Sequence, residues 1–282
     1  MRMLIINGDD MGRTPNITRG IVKAYEEGIL TSASLVANGT DFDFAVAMAK
    51  QRTGLGVGIH LVLNEYRPVA EPHLIPSLLN AKGEFWPRPI MLARLQFSRA
   101  HCREAAIEWE AQIAKIVDAG ISPTHLDGHG HCHATPRLAK IVLELAKRFH
   151  IAAVRLPAEP LSYRGFGGRF SMRRYIEKTI LATASQWARA RWRTQLAYPD
   201  AFYGFMDGGR LTAGAVAQIA GGLKPGVAEL MTHPGIDNDD RPYGCNYDWK
   251  GDLDALLAYS KETFEDAYDV KLRSYRDAWS YT

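Results

Sequence analysis

An α/β fold, a distorted TIM-like (β/α) barrel of parallel strands, is what this sequence predicts, on three observations. Short apolar runs of strand length alternate with amphipathic helical patterns along the chain, the pattern of a parallel sheet covered by helices. The 282 residues are 46% hydrophobic, enough for one large core, and barrels often run this long, so residues 1–282 read as a single domain. Five polar segments each follow an apolar run: Asn7-Gly8-Asp9-Asp10-Met11-Gly12, Gly58-Ile59-His60, His125-Leu126-Asp127-Gly128-His129-Gly130-His131-Cys132-His133, Arg155, and Met231-Thr232-His233-Pro234. A parallel barrel gathers its chemistry at the C-terminal ends of its strands, which is where these segments would meet.

Leu4-Ile5-Ile6 is a buried-strand pattern ending at Asn7-Gly8. The helix that follows has Thr14 or Asn16 as its cap, Ile17, Ile21, Val22 and Tyr25 on its apolar face, and Gly28 as its stop. Residues 33–36 read as a strand, 42–49 as a helix and 57–63 as a third strand. Residues 65–88 are proline-rich and read as a long loop, a feature usually tied to function. A helix over 103–117 ends at Gly120; 124–126 is a strand; 136–149 is a helix opened by Thr135 with Pro136 at its first position. Strands follow at 152–156, 227–231 and 272–275.

The formal net charge of +3 is weak and gives no argument for a nucleic-acid partner. The three cysteines form no CxxC pair, which points to a reducing compartment. The first apolar run is too short for a signal peptide, and no stretch has transmembrane length. A cytoplasmic protein is expected, with association at the inner face of the membrane as a further option. Oligomeric state is left open.

Adjacent carboxylates and several imidazoles are the parts of a mononuclear metal hydrolase. Neighbouring strand residues point in different directions, so of Asp9 and Asp10 one can bind a metal while the other faces substrate as a base. Helix-capping acids are the alternative. His60 ends a strand pattern. Period two in an extended stretch points His125, Asp127, His129, His131 and His133 to one side, which is costly unless they bind a metal, a substrate or each other. The stretch is expected to bend after Gly128, so not all five can touch one ion. Asp127 is placed to orient an imidazole. His233 is held by Pro234, and a histidine titrating near neutrality suits a general acid. Gly54-x-Gly56-x-Gly58 lacks the spacing of a dinucleotide loop, and no HExxH, GxSxG or P-loop occurs.

Together the motifs resemble the YdjC-like carbohydrate deacetylases over nearly the whole chain. The resemblance implies metal-dependent removal of N-acetyl groups from sugars. By it, Asp10, His60 and His129 would bind one divalent ion, Asp9 would be the base and His233 the acid. His125, Asp127, His131, His133 and Arg155 would support the site or bind substrate, Arg155 either orienting Asp9 or touching substrate. Zinc is the first choice of metal and magnesium the second, since ligand type alone does not decide. Gly130 stands where the family often has a histidine, and Gly8 and Gly128 are smaller departures.

Val57-Gly58-Ile59-His60-Leu61-Val62-Leu63, the run Ala153-Val154-Arg155-Leu156-Pro157-Ala158-Glu159-Pro160-Leu161, and Phe202-Tyr203-Gly204 with Asp207-Gly208-Gly209 resemble a hopanoid-biosynthesis-associated branch of that family. That implies an acetylated amino-sugar substrate on a lipid. Residues 171–198 place Met172, Tyr175, Ile176, Ile180, Trp187 and Trp192 among six basic side chains, with Glu177 the lone acid. This amphipathic segment fits peripheral membrane contact, or a surface helix packed on the barrel with arginine stems covering apolar surface. A chitooligosaccharide-type deacetylase, a metal-dependent phosphoesterase and a non-catalytic sugar- or lipid-binding module are the rival readings.

Overall fold

The computed structural model describes residues 1–166, 171–239 and 247–279. In chain order its strands are β1 (Arg2–Met11), β2 (Ser32–Leu35), β3 (Gly56–Leu61), β4 (His125–Gly128), β5 (Ala153–Val154), β6 (Ala201–Tyr203), β7 (Gly226–Thr232) and β8 (Lys271–Leu272). Its helices are α1 (Pro15–Glu27), α2 (Phe42–Lys50), α3 (Arg88–Phe97), α4 (Arg99–Asp118), α5 (Leu138–Arg148), α6 (Met172–Trp192), α7 (Ala213–Gly221), α8 (Trp249–Leu257) and α9 (Lys261–Tyr268). The sheet is parallel in the order β5-β4-β3-β2-β1-β7-β6, with β8 also pairing β1.

Side chains reveal the curl of this sheet. Five inter-strand steps separate β5 from β7 in that order, about 24 Å if the sheet were flat. Yet Arg155, one residue past β5, sits 2.8 Å from Glu229 on β7. The sheet therefore bends round on itself. Among the described residues no ladder joins β5 to β6. The TIM-like barrel closes there through one parallel bridge, Ala153 to Ala197 just ahead of β6, with Val154 donating to the Ala197 carbonyl and Ala197 to the Ala152 carbonyl (both 2.9 Å). Side chains complete the closure, including Arg155 over the Phe202 ring at 5.6 Å.

Alternation along each strand sorts the residues into two environments. Leu4, Ile6, Ala33, Leu35, Ile59, Leu61, Leu126, Val154, Ala228 and Leu230 belong to the large core between sheet and helices. Ile5, Ala153 and Val227 form a separate small cluster with Tyr275 and Ala278 inside the barrel. Above that apolar floor the inward positions turn polar: Asn7 and Asp9, Ser34, His60, His125 and Asp127, Arg155 and Glu229 are all buried. Burial on this scale is tolerable only where the groups satisfy one another.

Several expected elements differ in detail. Thr14, not Asn16, caps α1, its hydroxyl accepting from the Ile17 amide; Asn16 instead donates to Asp237. Helix α5 begins at Leu138 without a side-chain cap, and the Thr135 hydroxyl donates to the Cys132 carbonyl instead (2.9 Å). Residues 65–88 contain two 3-10 turns, Pro72–Leu74 and Pro76–Leu78, and an antiparallel bridge between Leu79 and Phe85. The last strand stops at Leu272, and Tyr275 lies beyond it with its ring in the barrel interior. Helices α3, α7, α8 and α9 and strand β6 carried no expectation.

Gly58 faces inward on β3, and a Cβ there would run into the His125 ring. Gly58→Ala is expected to cost about 2 kcal/mol by overpacking. That corresponds to a Tm lower by roughly 4–8 °C, measured by calorimetry. An unchanged Tm would mean that the interior repacks freely.

Candidate metal and acid–base site

Arg155 is the centre of the buried network. Its guanidinium donates to both oxygens of Asp9 (2.6 and 2.7 Å) and to Glu229 Oε1 (2.8 Å), and lies 2.8 Å from Asp127 Oδ2. Three strands thus converge on one cation. Asn7 donates to Asp9 Oδ1 and to Ser34 Oγ, both at 2.8 Å, and Ser34 donates to Asp127 Oδ2 at 2.7 Å. Burial pushes the Asp127 carboxyl up, but Arg155 and His60 more than reverse this and hold it well below the usual range. Arg155 does not line the open cleft, so of its two expected roles the geometry fits orientation of Asp9.

Asp9 and Asp10 were expected to point apart. A register shift between Gly8 and Met11 and a positive φ of 69° at Asp10 turn both into the same cleft. Asp10 Oδ2 is held by Arg13 at 2.7 Å. Its Oδ1 faces His129 Nδ1 at 3.2 Å and His60 Nε2 at 3.4 Å. His60 Nδ1 lies 2.8 Å from Asp127 Oδ1, which leaves Nε2 directed at Asp10. His129 Nε2 is 3.3 Å from Glu65, and Glu65 in turn pairs with Arg13 at 2.8 Å.

Asp10, His60 and His129 therefore present one ligand atom each within 4.8 Å of one another. Two imidazole nitrogens and one carboxylate oxygen, each imidazole backed by a second carboxylate, make a donor set that fits a divalent ion. Burial opposes charge on these imidazoles, but the surrounding carboxylates prevail. His60 is raised, mainly by Asp127, and His129 is raised to about 10 by Asp10 and Glu65. The site attracts positive charge even without a metal. Asp9, His60 and Asp127 form a second group with metal-compatible spacing. There, however, Arg155 already occupies both carboxylates, so a second cation fits poorly.

The other imidazoles scatter. Strand β4 ends at Gly128, and His129–Ala134 winds into a 3-10 turn in which Gly130 and His131 take positive φ (61° and 60°). The expected bend is there, but the expectation that five side chains share one side fails beyond it. His125 lies below the site, stacked on Tyr275 with ring centroids 3.7 Å apart and Nε2 3.2 Å from Ser34. His133 is stacked on Trp192 and reaches the Arg155 carbonyl at 3.1 Å. Burial lowers their pKa values to about 3 and about 4, so both are neutral framework groups. His131 lines the cleft beside Phe205. Burial pushes the Cys132 thiol up to about 12, which suits a packing residue.

His233 also lines the cleft, against Tyr247. It was expected to titrate near neutrality. Burial instead lowers it to about 4, against the pull of Asp9 and Asp10. Its backbone amide is fixed by the buried Asp252 at 2.9 Å. The cleft encloses about 920 Å³. Its walls include Tyr66, Arg67, Phe85 and Arg88 from residues 65–88, and Arg174 and Glu177 from α6.

Four supporting residues escaped sequence reasoning: Arg13, Glu65, Glu229 and Asp252. Arg13 follows Asp10 by three residues and Glu65 follows His60 by five, so proximity to the motifs was a usable signal. Glu229 interrupts the apolar strand β7 and faces inward with Val227, another readable sign. Asp252 sits in α8 with no local motif to single it out.

An α/β barrel with carboxylates and imidazoles collected at its strand ends defines a hydrolase-like class of site. The sequence profile of the family described as YdjC-like protein matches residues 3–265, and the chain belongs to that family. It is 31% identical over 96% of both chains to a protein of Brevibacillus brevis described as a carbohydrate deacetylase. A Mus musculus protein with the same description is 32% identical, with 86% of this chain and 81% of the relative covered. The fold matches a solved structure from Enterococcus faecalis V583, provisionally described as a cellobiose-phosphate cleavage protein. That match has a TM-score of 0.75 and 24% identity, with 98% of each chain covered.

Glu229 shares Arg155 with two other carboxylates, and burial raises it to about 7. Its unfolded value is about 4.3. Its contribution to stability is therefore fully present below about pH 4.3 and is lost as pH rises through 7. Glu229→Gln keeps an acceptor for Arg155 and abolishes the titration. Denaturant unfolding should show the variant gaining on wild type between pH 5 and pH 8, by on the order of 3 kcal/mol. A gap independent of pH would show that Glu229 stays ionised.

Proposed function

We propose that this chain is a metal-dependent carbohydrate deacetylase that removes the N-acetyl group from an N-acetylglucosamine-type sugar carried on a hopanoid glycolipid. One observation carries the chemistry. Asp9 is clamped by Arg155 at the floor of an open cleft, beside the donors of Asp10, His60 and His129. A base and a ligand set side by side are what amide hydrolysis by water requires. The descriptions of the Brevibacillus brevis and Mus musculus relatives point the same way.

Asp10, His60 and His129 would hold the ion, zinc before magnesium. When bound, it would polarise the acetyl carbonyl and acidify water. Asp9 takes the proton from the attacking water on Oδ2, which among the described residues accepts from Arg155 alone, while Oδ1 is held by both Arg155 and Asn7. His233 hands a proton to the departing amine. A histidine held near 4 is neutral in the protein alone, so the proton it hands to the amine is the one the attacking water gave up to Asp9, passed on across the cleft. His131, Phe205, Met231 and Tyr247 shape the space around the acetamide. His125, Asp127, His133 and Arg155 act from behind the cleft by fixing the groups that line it.

The two-metal phosphoesterase reading loses ground because Arg155 fills the second carboxylate pair. The lipid-linked substrate is supported by the segments resembling the hopanoid-associated branch. Two of them interlock beside the cleft: Glu159 accepts from the amides of Gly204 and Phe205, both at 3.1 Å.

Acetate release from N-acetylglucosaminyl hopanoid and from diacetylchitobiose, each with and without chelator, tests the reading. Chelator-sensitive release from the hopanoid supports it, and release from chitobiose alone moves the substrate to soluble sugars. Release from neither overturns it. Asp9→Asn is expected to keep the metal and lower kcat by about 10²–10⁴. His129→Ala should lose the metal itself, read by atomic absorption. Equal metal loss in both variants would undo this division of roles.

A further inference from the structure

Helix α6 turns its apolar side to solvent. At 3.6 residues per turn Met172, Ile176, Ile180 and Trp187 fall within an arc of about 80°. They are 62, 52, 65 and 61% exposed. The opposite face, with Lys178, Ser185, Ala188 and Trp192, is buried. There the Lys178 ammonium donates to the carbonyls of Pro160 (3.0 Å) and Tyr163, and Trp192 Nε1 donates to the Ala139 carbonyl at 2.9 Å. A surface helix ordinarily does the reverse, apolar in and charged out. Single exposed apolar residues mean little, but a contiguous stripe marks an interaction surface. Leu161, 51% exposed, adjoins the N-terminal half of the helix, where its carbonyl accepts from the Tyr175 hydroxyl.

One edge of the stripe is basic, and the other carries Tyr175, Thr179 and Gln186. Arg173 and Arg191 flank it, Arg189 and Arg193 lie at the C-terminal end, and Glu177, paired with Arg173 at 3.0 Å, is the lone acid between residues 171 and 198. On the flank beyond Arg173 the same helix supplies Glu177 and Arg174 to the wall of the cleft. Among the described residues no helix is long and apolar enough to cross a membrane.

We propose that the outward face of α6 docks the protein on a bilayer containing anionic phospholipid, with the cleft opening beside the membrane surface. This rests on the reading of a lipid-carried substrate and gives it a route: the aglycone stays in the bilayer while the sugar enters the cleft. Apolar side chains enter the headgroup boundary, and the flanking arginines meet lipid phosphates. A second copy of the chain is the poorer occupant. Antiparallel two-fold pairing of the stripe would set basic edge against basic edge, and the one nearby acid is already paired.

Co-sedimentation of the full chain with phosphatidylcholine vesicles, with and without phosphatidylglycerol, tests this. Wild type should bind the phosphatidylglycerol vesicles and release as salt is raised. Ile176→Gln combined with Ile180→Gln and Trp187→Gln should weaken binding about tenfold or more. This variant should keep the wild-type circular dichroism spectrum and the wild-type rate on chitobiose. Arg173→Gln with Arg191→Gln and Arg193→Gln should lose only the preference for phosphatidylglycerol. Wild type left in the supernatant with both vesicles, or a glutamine triple variant that sediments like wild type, overturns the proposal. So does a wild-type dimer that the glutamine substitutions split. If the vesicle results hold and neither sugar loses acetate, the deacetylase reading falls and the docking face stands.

Discussion

One buried guanidinium sets the geometry on which the rest of this barrel depends. Arg155 has carboxylates from β1, β4 and β7 around it and is fully buried. Removing one partner from such a cluster costs about 3–5 kcal/mol, because the charges left behind stay buried. The arrangement also reinforces the seam between β5 and β6, where, among the described residues, the backbone supplies only the bridge from Ala153 to Ala197. Ordinary barrels close by hydrogen-bonded strands. Here the seam has that one backbone bridge, and an ion cluster adds a tie from Arg155 to β7.

The same cluster divides labour between two adjacent carboxylates. Asp9 is bound through both oxygens to Arg155, and Asp10 is bound through one oxygen to Arg13. Asp10 thus keeps an oxygen for the two imidazoles, while Asp9, with Oδ1 held by Asn7 as well, has only a lone pair of Oδ2 to offer the cleft. Each imidazole is itself aimed by a second carboxylate, His60 by Asp127 and His129 by Glu65. Two linked systems result, Arg155–Asp127–His60 and Arg13–Glu65–His129, and they meet at Asp10 Oδ1. A change in either guanidinium would disturb the ligand atoms without touching them.

Much of this was legible in the sequence because barrel strands encode two faces with period two. Gly58-x-His60 and His125-x-Asp127 each state an inward polar row, and the parallel architecture brings such rows together. What period two could not state was where it stops. Asp10 joins Asp9 only through a positive φ in a bulge, and the histidines after Gly128 leave the strand for a 3-10 turn. Asp252 supports His233 from a helix distant in sequence, a contact that only the folded chain creates. The near-neutral histidine expected at 233 failed for a similar reason, since its burial is a tertiary property.

The division between what strands and loops encode explains why chemistry is easier to read here than substrate. Acid, base and ligand groups hang from short strand ends whose partners are set by sheet order. Much of the cleft wall comes from residues 65–88 and from α6, which face solvent on one side, although Ala70, Ile75, Leu78 and Phe85 also pack in the core. Apart from Glu65, which backs His129 and pairs with Arg13, such segments can change without disturbing Arg155 or the ligand set. Helix α6 shows how far that freedom goes. As the long connection between β5 and β6, which do not pair, it has no short crossover geometry to meet. Its inward face is secured by hydrogen bonds from Lys178 and Trp192 together with core packing of Ala188 and Trp192. That leaves four large apolar side chains outside at no cost to the core. Selection acting on where the substrate is met, and not on how it is cut, would write its record on that outer face.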